Sequence, residues 1–199
     1  MLDWLLFLGI TVGGAMIPGA NFAVVLRNTL NGSRRSGLLT VCGLATALMI
    51  HGTLTLLGIS ALIQNSPAAF EVIRWLGAAY LILLGGWQLL HRQPAQETSA
   101  PAHNGGSPFI AGLLISLFNP KVLVFFLAIF SQVLSPEQSL ATKLLYVATP
   151  ALAEISWFML VLALLGTPAI RQWLMRVKSK LERFLGGAMV ALGIKIGLG

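Results

Sequence analysis

Apolar runs of about one bilayer thickness recur along the whole chain, with short polar stretches between them. They predict six membrane-spanning helices over Trp4–Leu26, Leu38–Ile63, Phe70–Leu90, Phe109–Leu134, Ala141–Gly166 and Phe184–Leu198. Spanning the hydrocarbon takes roughly 20 apolar residues per helix, so six spans use up nearly the entire length. The last run is short and rich in glycine. Gly9/Gly13 and Gly193/Gly197 have the small-residue spacing that permits close helix contact. Between the third and fourth runs, His91 to Pro108 is rich in Pro, Ser, Gly and Ala and reads as a flexible linker.

Composition agrees with this pattern. Of 199 residues, 56% are hydrophobic and only 10% are charged, too few charges to cover the surface of a soluble domain. No G-x-x-x-x-G-K-[ST] loop occurs, and no length remains for a tethered ATPase. The net charge of +7 does not imply a nucleic-acid partner, because the basic residues lie in the loops, where membrane orientation accounts for them. Loop one carries Arg27, Arg34 and Arg35, loop three Arg92, and loop five Arg171, Arg176, Lys178, Lys180 and Arg183. Loops two and four hold only Arg74 and Lys143, offset by Glu71 and Glu137. Loops one, three and five are therefore expected in the cytoplasm, with both termini outside. Met1-Leu2-Asp3-Trp4 lacks the positive region of a cleavable signal, so this segment is read as the first span. Cys42 stands alone, which leaves no intrachain disulfide. Trp4, Trp75, Trp87 and Trp173 fall near span ends, where an interfacial belt would put them.

The two halves resemble one another. Arg74-Trp75-Leu76-Gly77-Ala78-Ala79 parallels Arg183-Phe184-Leu185-Gly186-Gly187-Ala188, Leu56-Leu57-Gly58 parallels Leu164-Leu165-Gly166, and Pro18 corresponds roughly to Pro120. Residues 1–90 and 109–199 would then be three-helix repeats joined by the linker at 91–108. An odd number of spans per repeat turns the halves in opposite directions, an arrangement suited to alternating access. Chance similarity among Leu- and Gly-rich helices is the competing explanation. The expected fold class is an all-α membrane protein, with six transmembrane helices as two inverted three-helix repeats.

Polar and helix-breaking residues inside the spans mark candidate chemistry, because they are costly in hydrocarbon. Pro18, Gly19 and Asn21 interrupt span one; Asn119, Pro120 and Lys121 interrupt span four; His51 and Glu154 lie halfway along spans two and five. These eight residues, from four helices at similar depth, are the candidate substrate-binding set. Each proline lacks an N–H, which would leave the carbonyls of Gly14 and Ser116 unpaired and open to a substrate ammonium. Lys121 and Glu154 could pair with each other or meet opposite charges on a substrate, and Glu154 is the candidate for proton coupling. His51 shares a helical face with Gly43, Ala47, Thr55 and Gly58, either as a cavity-lining donor or as a neutral histidine bonded to the next helix.

Several blocks together resemble the lysine/homoserine exporter family (LysE/RhtB type). They are Pro18-Gly19-Ala20-Asn21-Phe22 with Leu26-Arg27 and Gly32 to Leu38; Gly77-Ala78-Ala79-Tyr80-Leu81 with Leu84-Gly85-Gly86-Trp87; and Gly112-Leu113-Leu114 through Leu117-Phe118-Asn119-Pro120-Lys121. The resemblance covers nearly the whole chain. It implies a six-helix inner-membrane exporter of amino acids or their derivatives, driven by a proton gradient. The chain departs from the family pattern at Ala20, where a second proline is usual, and at Ala47, often a glycine. At Leu48 some members carry an acid, so Glu154 is left as the remaining acid for coupling.

The reading is therefore a secondary transporter, with a small amino-acid-like solute and the lipid bilayer as partners, room for a homodimer, and no cofactor or metal. A cation or metal exporter and a passive small-solute channel are the alternatives within the same architecture. An enzyme is disfavoured because neither H-E-x-x-H nor G-x-S-x-G occurs.

Overall fold

A computed structural model of the chain describes residues 2–17, 19–90, 107–135 and 137–164, with isolated positions 183, 187, 190, 191 and 194. The described residues form helices α1 (Leu2–Met16), α2 (Ala20–Leu30), α3 (Arg34–Asn65), α4 (Pro67–Leu90), α5 (Pro108–Leu117), α6 (Pro120–Val133) and α7 (Leu140–Leu164), and include no strand. The described part of the molecule is all-α. Most of the expected linker and sixth span lie outside the described residues.

Serine and proline set the helix starts. The hydroxyls of Ser33, Ser66 and Ser139 accept the N–H groups of Ser36, Ala69 and Thr142 at the beginnings of α3, α4 and α7. These bonds satisfy first-turn donors that have no partner within the helix. Pro67, Pro108 and Pro120 each occupy the first helical position, where a missing N–H costs nothing.

Two of the expected spans are broken, at the interruptions that Pro18–Asn21 and Asn119–Lys121 predict. Between α1 and α2 the axis bends by 50°, and between α5 and α6 by 59°. Among the described residues, helices Arg34–Ala61 and Leu140–Leu164 are each long and apolar enough to cross a membrane, and the number reaches four if each bent pair is one span. α3 is the hub, packing against α2, α4, α5, α6 and α7.

Two apolar clusters form the interior. The first gathers Phe7 and Ile10 of α1, Leu48 and Ile59 of α3, Phe126 and Phe130 of α6, and Tyr146 and Ala151 of α7. Its aromatic rings interlock, with Phe7 edge-on to Tyr146 at 5.0 Å and Phe126 stacked on Phe130 at 5.3 Å. The second gathers Phe22, Val24 and Val25 of α2, Val41 and Leu44 of α3, Ala111 of α5, and Phe158, Val161 and Leu162 of α7. Each broken pair passes from one cluster to the other at its break, α1 to α2 in one sense and α5 to α6 in the reverse.

Close backbone approach binds α3 to α5. A Cβ on Gly43 would meet the carbonyl oxygen of Phe109, and one on Gly112 would meet that of Thr40. Gly77 similarly lets α4 approach α6, where an added Cβ would come within 3.0 Å of the Cα of Ala128. Gly9, half of the spacing motif in the first span, has open space around it. The close contacts thus use glycines outside the small-residue spacing pairs, because only the partner helix decides which glycine faces it.

Along the His51 face of α3, Gly43, Ala47, His51 and Thr55 are buried as their spacing predicts, whereas Gly58 is exposed. Trp75 is exposed, as a belt residue would be. Trp4 instead packs against the first cluster and donates its indole N–H to Thr149 Oγ1 at 3.2 Å. The side chain of Trp87 and all of Trp173 lie outside the described residues.

Gly112→Ala should destabilise the fold by roughly 1–3 kcal/mol, since the carbonyl it would strike belongs to a packed helix and cannot move alone. Gly58→Ala, with nothing within 4 Å of its Cβ, serves as the neutral control. Thermal unfolding of both variants in detergent measures the difference.

Candidate functional site

The first break is built on a short turn. α1 closes with Ile17 N–H donating to Gly14 O at 3.3 Å, Gly19 is extended, and α2 begins with Ala23 N–H bonded to Gly19 O at 2.9 Å. Asn21, the second residue of α2, therefore leaves the break with its side chain directed at α7. Its Nδ2 donates to Glu154 Oε1 at 2.9 Å.

Glu154 is 6% exposed, the one buried carboxyl among the described residues. It lies one turn beyond Pro150, in a helix that continues through that proline. On α7 it falls between Ala151, in the first apolar cluster, and Phe158, in the second. Phe22 and Phe158 pack with ring centroids 6.3 Å apart, so the residues following Asn21 and Glu154 hold their two helices together. An apolar contact thus sets the distance across which the polar pair bonds.

The second break is capped by backbone. Phe118 N–H donates to Leu114 O at 3.0 Å and Asn119 N–H to Ser116 O at 3.2 Å, closing α5. Asn119 O then accepts from Val122 and Leu123 N–H at 3.1 and 3.2 Å, which opens α6. His51, buried on α3 beside Phe126, places Nε2 3.3 Å from the same Ser116 carbonyl. A carbonyl only accepts, so Nε2 carries the proton in this contact.

These bonds overturn one expectation. Gly14 and Ser116 do not present unpaired carbonyls, because each break tightens into a turn whose N–H groups return to them. A proline at the first position of a new helix has no preceding turn to disrupt, which is the situation of Pro120. The free polar capacity lies in side chains instead. Asn21 Oδ1, Ser116 Oγ, Trp157 Nε1 and Gln132 Oε1 are buried without a hydrogen-bond partner among the described residues.

Of the residues expected to form the site, Asn21 and Glu154 are bonded to each other, and Gly19 forms the first break. Asn119 and Pro120 form the second break, to which His51 is bonded through Ser116. Pro18 lies outside the described residues, as does the side chain of Lys121, and with it the suggested Lys121–Glu154 pair. Sequence reasoning singled out neither the Ser116 hydroxyl nor Trp157. A serine four residues before Pro120 was the available signal for the first; nothing in the pattern marked the second. Asn28, whose Nδ2 donates to the fully buried Thr40 Oγ1 at 2.8 Å, was also missed and ties α2 to α3.

Residues 12–199 match the family model described as LysE type translocator. The chain belongs to the LysE type translocator family. Relatives of this LysE type chain include the uncharacterized membrane protein YahN of Escherichia coli (strain K12), 31% identical over 90% of this chain and 82% of the relative. The uncharacterized membrane protein YrhP of Bacillus subtilis (strain 168) is 28% identical over 100% of both chains. The threonine efflux protein of Escherichia coli (strain K12) is 26% identical over 91% of this chain and 90% of the relative. No solved structure matches the chain. Membership bears out the exporter resemblance of the Pro18–Phe22 and Leu117–Lys121 blocks, and makes this LysE type protein a membrane transporter rather than an enzyme.

Asn21→Ala removes the bond to Glu154 and leaves a buried carboxyl short of a partner, at a cost of about 1–3 kcal/mol. The expected result is a lower midpoint of thermal unfolding in detergent. An unchanged midpoint would show that the bond does not hold α2 against α7.

Proposed function

We propose that this LysE type translocator exports an amino acid or amino-acid derivative across the bacterial inner membrane by proton-coupled alternating access. The observation that carries the reading is the Asn21–Glu154 bond, which joins a buried carboxyl to the residue beside a helix break. An ionisable group within a membrane helix is retained where it handles a substrate or a proton, because burying it without a role is costly. The threonine efflux relatives support an amino-acid solute.

In the proposed cycle the solute meets the two breaks from one side of the membrane, the halves rock, and the solute leaves on the other. Protonation of Glu154 from the outward side returns the carrier. The inverted three-helix repeat is part of the proposal. Its support is the pair of breaks, which cross between the same two apolar clusters in opposite senses. The positive loop residues support cytoplasmic loops one, three and five, with both termini periplasmic.

Proteoliposomes loaded with a panel of amino acids and given a pH gradient test the class. Wild type should accumulate at least one amino acid against its gradient, which a passive channel cannot do. Glu154→Gln should lose gradient-driven flux by at least tenfold while keeping solute exchange. Full gradient-driven flux in that variant would remove Glu154 from coupling. Separately, a reporter fused after Gly199 should be active only when it reads the periplasmic side; cytoplasmic activity would reverse the orientation.

A further inference from the structure

Hydroxyls on these helices follow a common habit. Thr11, Thr29, Thr40, Thr46, Ser131 and Thr149 each donate back to the carbonyl three or four residues earlier, at 2.7–2.9 Å. Such a bond lets a hydroxyl sit in an apolar helix without an external partner. Ser116 departs from it. Its side chain is 0% exposed, yet Oγ has no partner among the described residues, although its own helix offers the same carbonyls. A buried hydroxyl with no bond bears the full loss of its hydration.

Ser116 is in the last turn of α5, beside the second break, and Asn21 is in the first turn of α2, beside the first. Asn21 gives its amide N–H to Glu154, but its Oδ1 is buried and unpaired. Trp157, three residues beyond Glu154 on α7, has a buried indole N–H without an acceptor. Phe22, the residue after Asn21, belongs to the second apolar cluster, and Ile115, the residue before Ser116, and Trp157 pack against it, so the three orphans lie on segments that meet at one cluster. The fourth orphan, Gln132 Oε1, is separate: its amide bonds the Arg74 carbonyl of α4 at 2.9 Å.

The orphans on α2, α5 and α7 are chemically complementary to one kind of molecule. An amide oxygen beside a carboxyl accepts from an ammonium, an indole N–H donates to a carboxylate, and a hydroxyl does either. We infer that Ser116 and Trp157 are solute-binding residues that, together with Asn21, complete the polar site for a small zwitterion bearing both an ammonium and a carboxylate. The inference deepens the exporter reading and rests on it for the direction of movement, not for binding.

The test separates binding from folding and from transport. Ser116→Ala and Trp157→Phe remove the orphan group while keeping an apolar side chain. Purified wild type and both variants are melted in detergent with L-threonine, with 1-amino-2-propanol, which lacks the carboxylate, and with 3-hydroxybutyrate, which lacks the ammonium. KM for L-threonine is measured in proteoliposomes. The expected result is stabilisation of wild type by threonine and by neither analogue. Each variant should melt, without solute, at or above the wild-type temperature, and should need about tenfold more threonine for the same stabilisation and for half-maximal flux. A purely structural role predicts the opposite, a lower melting temperature with threonine dependence unchanged, and overturns the inference. Stabilisation of wild type without transport of any amino acid overturns the exporter reading and keeps the site. Neither stabilisation nor transport overturns both.

Discussion

A helix that stops inside an apolar medium must find partners for the backbone groups at its end, since no water is there to take them. The two breaks in this protein meet that requirement locally. The Asn119 N–H and the His51 ring converge on the Ser116 carbonyl, and Asn119 O opens the next helix. Gly14 O is taken by Ile17 N–H in the same manner at the first break. Because the backbone is satisfied within a few residues, the bends can sit in the interior, and polar side chains can be left without partners beside them.

That local solution shapes the packing around it. Each broken pair contributes one helix to each apolar cluster, so the break is where the chain passes from one cluster to the other. α3 runs unbroken beside both and is held to α5 at Gly43 and Gly112, where backbone meets backbone without intervening side chains. On α7, Glu154 falls at the same transition, between residues of the two clusters. The buried carboxyl is thus flanked by apolar packing on both sides along its helix, with Asn21 as the polar contact across to α2.

Much of this was legible in the residues. Pro18, Gly19 and Asn21, and Asn119 with Pro120, marked the breaks, and the depth of His51 and Glu154 marked both as buried. The partners were not legible. Hydrophobic patterning says that a helix turns a face inward, but not which neighbour it meets. The indole of Trp4 therefore bonds Thr149 on α7 rather than resting only at an interface, and His51 meets a carbonyl rather than an acid. The expectation of free carbonyls failed for a related reason: a mid-helix proline and a helix-starting proline look alike until the chain is seen to bend.

The sequence alone determined an all-helical membrane translocator of the LysE type, because apolar run length, loop charge and the family blocks are all local properties of the chain. Only the tertiary structure decided that Asn21 reaches Glu154, that α3 and α5 touch through Gly43 and Gly112, and that the buried unpaired groups among the described residues are side-chain atoms of Asn21, Ser116, Gln132 and Trp157. Those outcomes depend on where separate helices lie against one another, and a distance between helices is written in no single segment.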